Sequence, residues 1–320
     1  MVLRYLTMAV AALLAGDDGF FPALRAVDLR MATIAWRLTT ANAALCDRLA
    51  PAPGFAIHAI GQYDPAMRAA ARAAFGFAAP IAVEAVVPES PAARAGLAEN
   101  DALLAVNGVA FGGSPSARAD SAARDAALAL VASQPADRPL RLAILRGGRR
   151  AEVTVPATPG CRSNFEVLLG PGMEASSDGA IVQLGVRFFE RYRDDQVAVV
   201  VAHELAHTVL RHRARLDAAG VSRGLLAEIG RNGRLFRRTE TEADLLGVHL
   251  LRNAGYDPQV AVRFWREHGG EVDGGVFRSR THPSSKARAQ AIADEIGRMP
   301  ADAPKPYRPP VLATRDSPLA

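Results

Sequence analysis

Positions 197–210 are almost entirely apolar, yet they carry His203-Glu204-Leu205-Ala206-His207. Val197, Val200, Val201, Leu205, Val209 and Leu210 form a broad apolar face, so the spacing predicts a largely buried helix. Asp194 and Asp195 are good N-cap types and complement the helix dipole at its start. Two histidines four residues apart project from the same side of such a helix. Burying two imidazoles and a carboxylate without partners costs several kcal/mol, which argues against a chance occurrence of the string. Imidazoles at this spacing can each ligate one Zn²⁺, at about 2.0–2.1 Å. Glu204, one residue on, points beside such a metal and not at it. It can take a proton from water activated there and deliver it to a leaving amine.

A catalytic zinc has three protein ligands and keeps a position open. A third histidine six residues on, after a glycine, is excluded: Leu210 stands in the glycine's place and Arg213 in the histidine's. His212 is one position off and reads as a surface residue. The third ligand is expected in Glu240-Thr241-Glu242-Ala243-Asp244-Leu245-Leu246-Gly247, where Glu240, Asp244 and Gly247 share a helical face at steps of four and three. Glu240 would complete the site, and Asp244 would orient a ligand histidine from behind. Gly247 would let the two helices approach. Glu242 competes for the ligand role but points about 200° away from Glu240.

Upstream, residues 73–158 change texture. Ile81-Ala82-Val83-Glu84-Ala85-Val86-Val87 alternates loosely, Asn107-Gly108 is a hairpin signal, and residues 140–155 read as two strands around Arg146-Gly147-Gly148-Arg149. An alanine-rich helix is expected near 117–133. The run Val87-Pro88-Glu89-Ser90-Pro91-Ala92-Ala93-Arg94-Ala95-Gly96-Leu97, with Asn100-Asp101 and Val106-Asn107-Gly108, resembles the PDZ domains of bacterial proteases. Asn100 stands where that family usually has glycine. The resemblance implies a small β-barrel-like domain that binds an extended peptide as an added strand and captures its terminal carboxylate. Phe75, Gly76 and Phe77 are the matching loop, with packed core aromatics as the other reading.

The downstream segment resembles the gluzincins that include the HtpX heat-shock protease and the CaaX prenyl proteases. His-Glu-x-x-His is followed there by E-x-[ED]-A-D-x-x-G, which residues 240–247 fit throughout, then by His-Pro and Arg, here His282-Pro283 and Arg288. The resemblance implies a zinc endopeptidase with His203, His207 and Glu240 as ligands, Glu204 as base and Asp244 behind the ligands. His282 and Arg288 would join the site. His282 would donate to the oxyanion or, in a resting enzyme, cover the metal, and Arg288 would pair with Asp244. The family's substrate-side edge strand corresponds to Gly179-Ala180-Ile181-Val182-Gln183-Leu184-Gly185.

The expected architecture is α+β and multidomain. A signal peptide or membrane anchor (1–18) and a helical arm (19–72) precede the PDZ-like domain (73–158). A mainly helical gluzincin domain (162–300) and a disordered proline-rich tail (301–320) follow. One arginine and then apolar residues 5–15 suit export to the periplasm, or an anchor facing it. In an exported chain Cys46 and Cys161, the only two cysteines, suit a disulfide between the arm and the segment after the PDZ, two buried thiols being the alternative. The net charge of +5 comes from scattered arginines without interleaved aromatics. That excludes a nucleic-acid surface and leaves room for peripheral contact with anionic membranes. Partners are protein or peptide substrates and a C-terminal peptide at the PDZ. The rival reading is a non-catalytic PDZ adaptor with a structural or degenerate zinc site.

Overall fold

Strands are concentrated between residues 49 and 185, where apolar residues alternate, and helices between 187 and 298, where they recur with the 3.6-residue period. The computed structural model describes residues 19–113, 116–221, 230–272, 283–300 and 302–319. The segment on which the export reading rests (1–18) and His282 lie outside the described residues. No helix among the described residues is long and apolar enough to cross a membrane. The chain divides into two compact units, residues 1–36 with 48–162 and residues 37–47 with 163–320.

In the first unit, helix α1 (Phe20–Ala41) contributes its residues up to 36. Strands β1 (Leu49–Pro51) and β8 (Pro159–Cys161) pair antiparallel. The main sheet uses β2 (Phe55–Ala59), β3 (Ile81–Val86), β4 (Ala102–Val106), β6 (Leu140–Arg146) and β7 (Arg149–Val155), in that order. Short β5 (Val109–Ala110) folds back on β4 through Asn107 and Gly108, both at positive φ (48° and 84°), the demand of a tight hairpin turn. The described pairing is an open path from β2 to β7 and not the barrel expected from sequence. The expected all-helical arm is also corrected. β1, β2 and helix α2 (Arg68–Phe75) fall inside 19–72, and β2 is the sheet partner of β3. Between β3 and β4 lies a helical turn, α3 (Pro91–Arg94), capped by the Ser90 hydroxyl. Helix α4 (Ala122–Ala132) buries Ala127 and Val131 against Ile57, Val83, Leu142 and Ile144. Asn100 has φ 68°, the left-handed region for which glycine is the usual choice.

The opposite side of β2 and β3 holds His58, Tyr63, Phe75 and Phe77 together with Phe21 and Leu24 of α1. Within this apolar cluster, burial pushes the Glu84 carboxyl on β3 well up, and the neighbouring Asp28 carboxylate of α1 adds to the shift. A carboxyl raised in the folded state contributes its full stability below its unfolded value, about 4.3, and loses it as pH climbs through the raised folded value. Glu84→Gln, which keeps a donor for Asp28 and cannot ionise, should raise the unfolding temperature at neutral pH and flatten its fall above about pH 5. Thermal melts of both proteins between pH 5 and 9 check this, and a variant less stable at neutral pH would contradict it.

In the second unit, β10 (Ala175–Ser177), β11 (Ile181–Gly185) and β9 (Asn164–Leu168) form a three-stranded sheet in that order, with β11 parallel to β9 and antiparallel to β10. The strand expected at the edge, β11, is therefore central, and β10 is an edge. Helices α5 (Arg187–Arg191), α6 (Asp194–Val209), α7 (His212–Ala218), α8 (Arg231–Asn253), α9 (Gln259–Val272) and α10 (Ser285–Arg298) complete the unit. Residues 302–319 do not behave as the expected disordered tail. A 3₁₀ helix at Pro310–Asp316 buries Leu312, Leu319 is buried with Leu216 and Leu235, and Tyr307 N–H bonds Asn253 Oδ1. Prolines suppress regular structure there without preventing packing. Neither cysteine is a free thiol.

Candidate metal centre

Helix α6 begins where Gln196 Oε1 accepts from the Arg193 N–H, with Asp194 and Asp195 in its first turn. Its apolar face buries Val197, Val201 and Leu205 completely, which fixes the rotation of the helix and so the direction of His203 and His207. Helix α8 crosses beside it. A Cβ on Gly247 would stand 3.4 Å from both the Cα and the backbone nitrogen of His203, so the two backbones already approach to contact distance there. That approach brings Glu240 and Asp244 up to the histidines.

His203 Nε2 lies 3.2 Å from His207 Nε2 and 3.2 Å from Glu240 Oε2, and His207 Nε2 lies 3.5 Å from Glu240 Oε1. Ligands about 2.0–2.1 Å from a tetrahedral zinc are separated by about 3.3 Å, so the three donors already have the spacing such an ion needs. Among the described residues, these three are the group that could hold a metal ion. Burial and the Arg288 charge push His203 down, but hydrogen bonds to Asp244 and Glu240 outweigh them and carry it up to about 10. The centre thus attracts positive charge. Burial holds His207 well below its ordinary value, which keeps that ring neutral. Glu204 is buried in the same turn.

Behind His203, its Nδ1 is 2.9 Å from Asp244 Oδ1. Arg288 donates to both oxygens of Asp244, at 2.8 and 2.7 Å, and its guanidinium lies 3.4 Å from the centre of the Trp265 ring. Burial raises the Asp244 carboxyl, yet Arg288 and His203 together hold it below the ordinary value. Asp244 and Arg288 therefore both lie against His203. Trp265 was not foreseen, since a lone tryptophan on an amphipathic helix reads as core. His212 was expected at the surface, but it is 1% exposed and its Nδ1 lies 2.9 Å from His207 Nδ1. Glu242 faces His212 and three basic or hydroxyl partners and not the metal-binding group.

The expected carboxylate loop of the other unit is corrected. Phe75 and Phe77 are buried in the aromatic cluster, Arg25 lies over the Phe75 ring, and the Gly76 N–H is spent on Arg72 O at the end of α2. Neither ring nor that amide is available to a peptide.

Residues 82–146 match the family model of a PDZ domain, and residues 221–296 match that of peptidase family M48. The chain carries an M48 gluzincin domain together with a PDZ domain. The M48 match takes in Glu240, Asp244 and Arg288 and begins after the His203–His207 turn. Three curated relatives are each described as mitochondrial metalloendopeptidase OMA1. The Schizosaccharomyces pombe protein is 32% identical over 122 residues, covering 32% of this chain and 36% of that one. The Arabidopsis thaliana protein is 33% identical over 123 residues, covering 31% and 24%. The Saccharomyces cerevisiae protein is 27% identical over 124 residues, covering 31% and 36%. The chain thus spans about a third or less of the length of these relatives. Zinc is the cofactor of M48 peptidases, and the donor set here fits it.

Proposed function

We propose that the chain is a zinc-dependent endopeptidase acting on protein or peptide substrates. The observation that carries this reading is the spacing of the His203, His207 and Glu240 donor atoms, with Glu204 in the same buried turn. Bound there, zinc would activate water and polarise the scissile carbonyl. Glu204 accepts the water's proton and delivers it to the leaving amine. Asp244, braced by Arg288, holds the His203 ring with Nε2 toward the metal. Strand β10 is placed to hold a substrate backbone extended, because Ser177 Oγ hydrogen-bonds Thr208 Oγ1 of the ligand helix at 3.0 Å and leaves the outer side of the strand as an edge. In the PDZ unit the terminal strand β2, with α4 packed beside it, is the edge that could take up a peptide.

The purified chain should contain one zinc per molecule and cleave casein, lose both on chelation and regain both with added zinc. A chain that binds zinc and peptide but cleaves nothing would support the adaptor reading. Glu240→Ala should lower zinc occupancy strongly, whereas Glu242→Ala should leave Glu240 in place and affect the metal less. Metal analysis after gel filtration separates them, and full occupancy in Glu240→Ala with loss in Glu242→Ala would reverse the ligand assignment.

A further inference from the structure

The two ligand histidines are held from behind by different means. His203 has a carboxylate, Asp244, at its Nδ1. His207 has another imidazole, His212, whose Nδ1 stands 2.9 Å from its own and whose Nε2 stands 3.2 Å from Glu242 Oε2. Glu242 in turn accepts from Arg215 at 2.6 Å, from Arg238 at 2.9 Å and from the Thr314 hydroxyl at 3.2 Å. Arginine can only donate, so the two guanidiniums on its two oxygens hold Glu242 as an acceptor. That fixes the polarity of the whole chain of bonds. The proton between His212 and Glu242 must sit on His212 Nε2, which leaves His212 Nδ1 as an acceptor. His207 must then carry its proton on Nδ1, and its Nε2 lone pair faces His203 Nε2 and Glu240. No other tautomer pair satisfies all three groups.

We propose, on the zinc-site reading above, that His212 is a positioning residue. Anchored by Glu242, it locks His207 in the tautomer and ring orientation that ligate the metal. Arg215, whose Nε also donates to Ser317 O at 3.1 Å, and Thr314 make the carboxy-terminal segment part of the same anchor. The sequence hides this device because His212 belongs to the next helix, and only the turn at Arg211, left-handed with φ 53°, folds it back onto His207.

The test compares His212→Phe, His212→Gln and Glu242→Gln with the native chain. Zinc affinity is read by chelator competition, the visible spectrum is taken of the cobalt-substituted protein, and melting temperature is measured without metal. Lost support behind a metal-bound histidine weakens binding about 10–100-fold. His212→Phe should show that loss and shifted cobalt bands, with the metal-free melting temperature little changed. Gln, which can accept from His207, should recover part of both, and Glu242→Gln should move the cobalt bands the same way. Unchanged affinity and cobalt spectra in all three variants would overturn the proposal. So would losses that only follow the metal-free melting temperature and that Gln does not relieve. A native chain that takes up no zinc would instead refute the peptidase reading itself. A native chain that binds zinc and cleaves casein, with His212 variants equal to it in affinity and spectrum, would remove only the role of His212.

Discussion

Glu204→Gln should abolish peptide hydrolysis, by about 10²–10⁴-fold or more, while the chain keeps its fold and its metal. The amide fills the space of the carboxylate in a turn that is almost closed to solvent, so packing around α6 should not change. What it lacks is a site for the water's proton. A loss of this size corresponds to about 3–5.5 kcal/mol of transition-state stabilisation. The ligands His203, His207 and Glu240 are untouched, so zinc content should remain near one per chain. Casein cleavage, metal analysis and thermal unfolding on the same preparation check the three parts. Residual hydrolysis within a few-fold of native, with zinc retained, would mean that another group takes the proton. Loss of zinc together with activity would place Glu204 among the ligands.

The peptidase unit was legible because its constraints are local. His203, Glu204 and His207 are tied by one helical turn, and Glu240, Asp244 and Gly247 by one helical face, so a periodicity argument locates them. Arg288 followed from the family pattern and not from spacing. The misreadings occurred where tertiary context decides. His212 is set by a left-handed Arg211 between two helices, which has no side-chain signature. Gly179 to Gly185 reads as a strand, but only pairing with both β9 and β10 shows that it is internal. The arm reads as helical from Leu24, Val27, Met31, Ile34 and Leu38, which recur at steps of three and four, but that stripe ends with α1 at Ala41 and strands follow it. There β2 takes its identity from β3, against which Phe55, Ile57 and His58 register. Phe75 and Phe77 looked like a binding loop from their glycine, yet that glycine closes a helix.

Arg288→Ala should be among the most destabilising single changes in the peptidase unit, at about 3–5 kcal/mol. Asp244 is 4% exposed and Arg288 3% exposed, and the two meet through a bidentate pair of bonds. Removing the guanidinium leaves a buried carboxylate with one remaining imidazole partner and also uncovers the face of Trp265. Lysine in its place would restore the charge but not the fork, so Arg288→Lys should recover only part of the loss. Neutralising both partners tests whether the cost is the stranded charge. Arg288→Leu combined with Asp244→Asn should be closer to native in stability than Arg288→Ala, because no uncompensated ion remains. The same double variant should still bind zinc more weakly, since His203 then rests on a neutral amide and not on a carboxylate. Denaturant unfolding of the metal-free protein, followed by tryptophan fluorescence, gives the stabilities, and chelator competition gives the affinities. A cost below about 1 kcal/mol for Arg288→Ala would show that water reaches Asp244 in solution and screens it as it does an exposed pair. A double variant no better than the single would instead put the cost in the lost packing of Trp265 and α10.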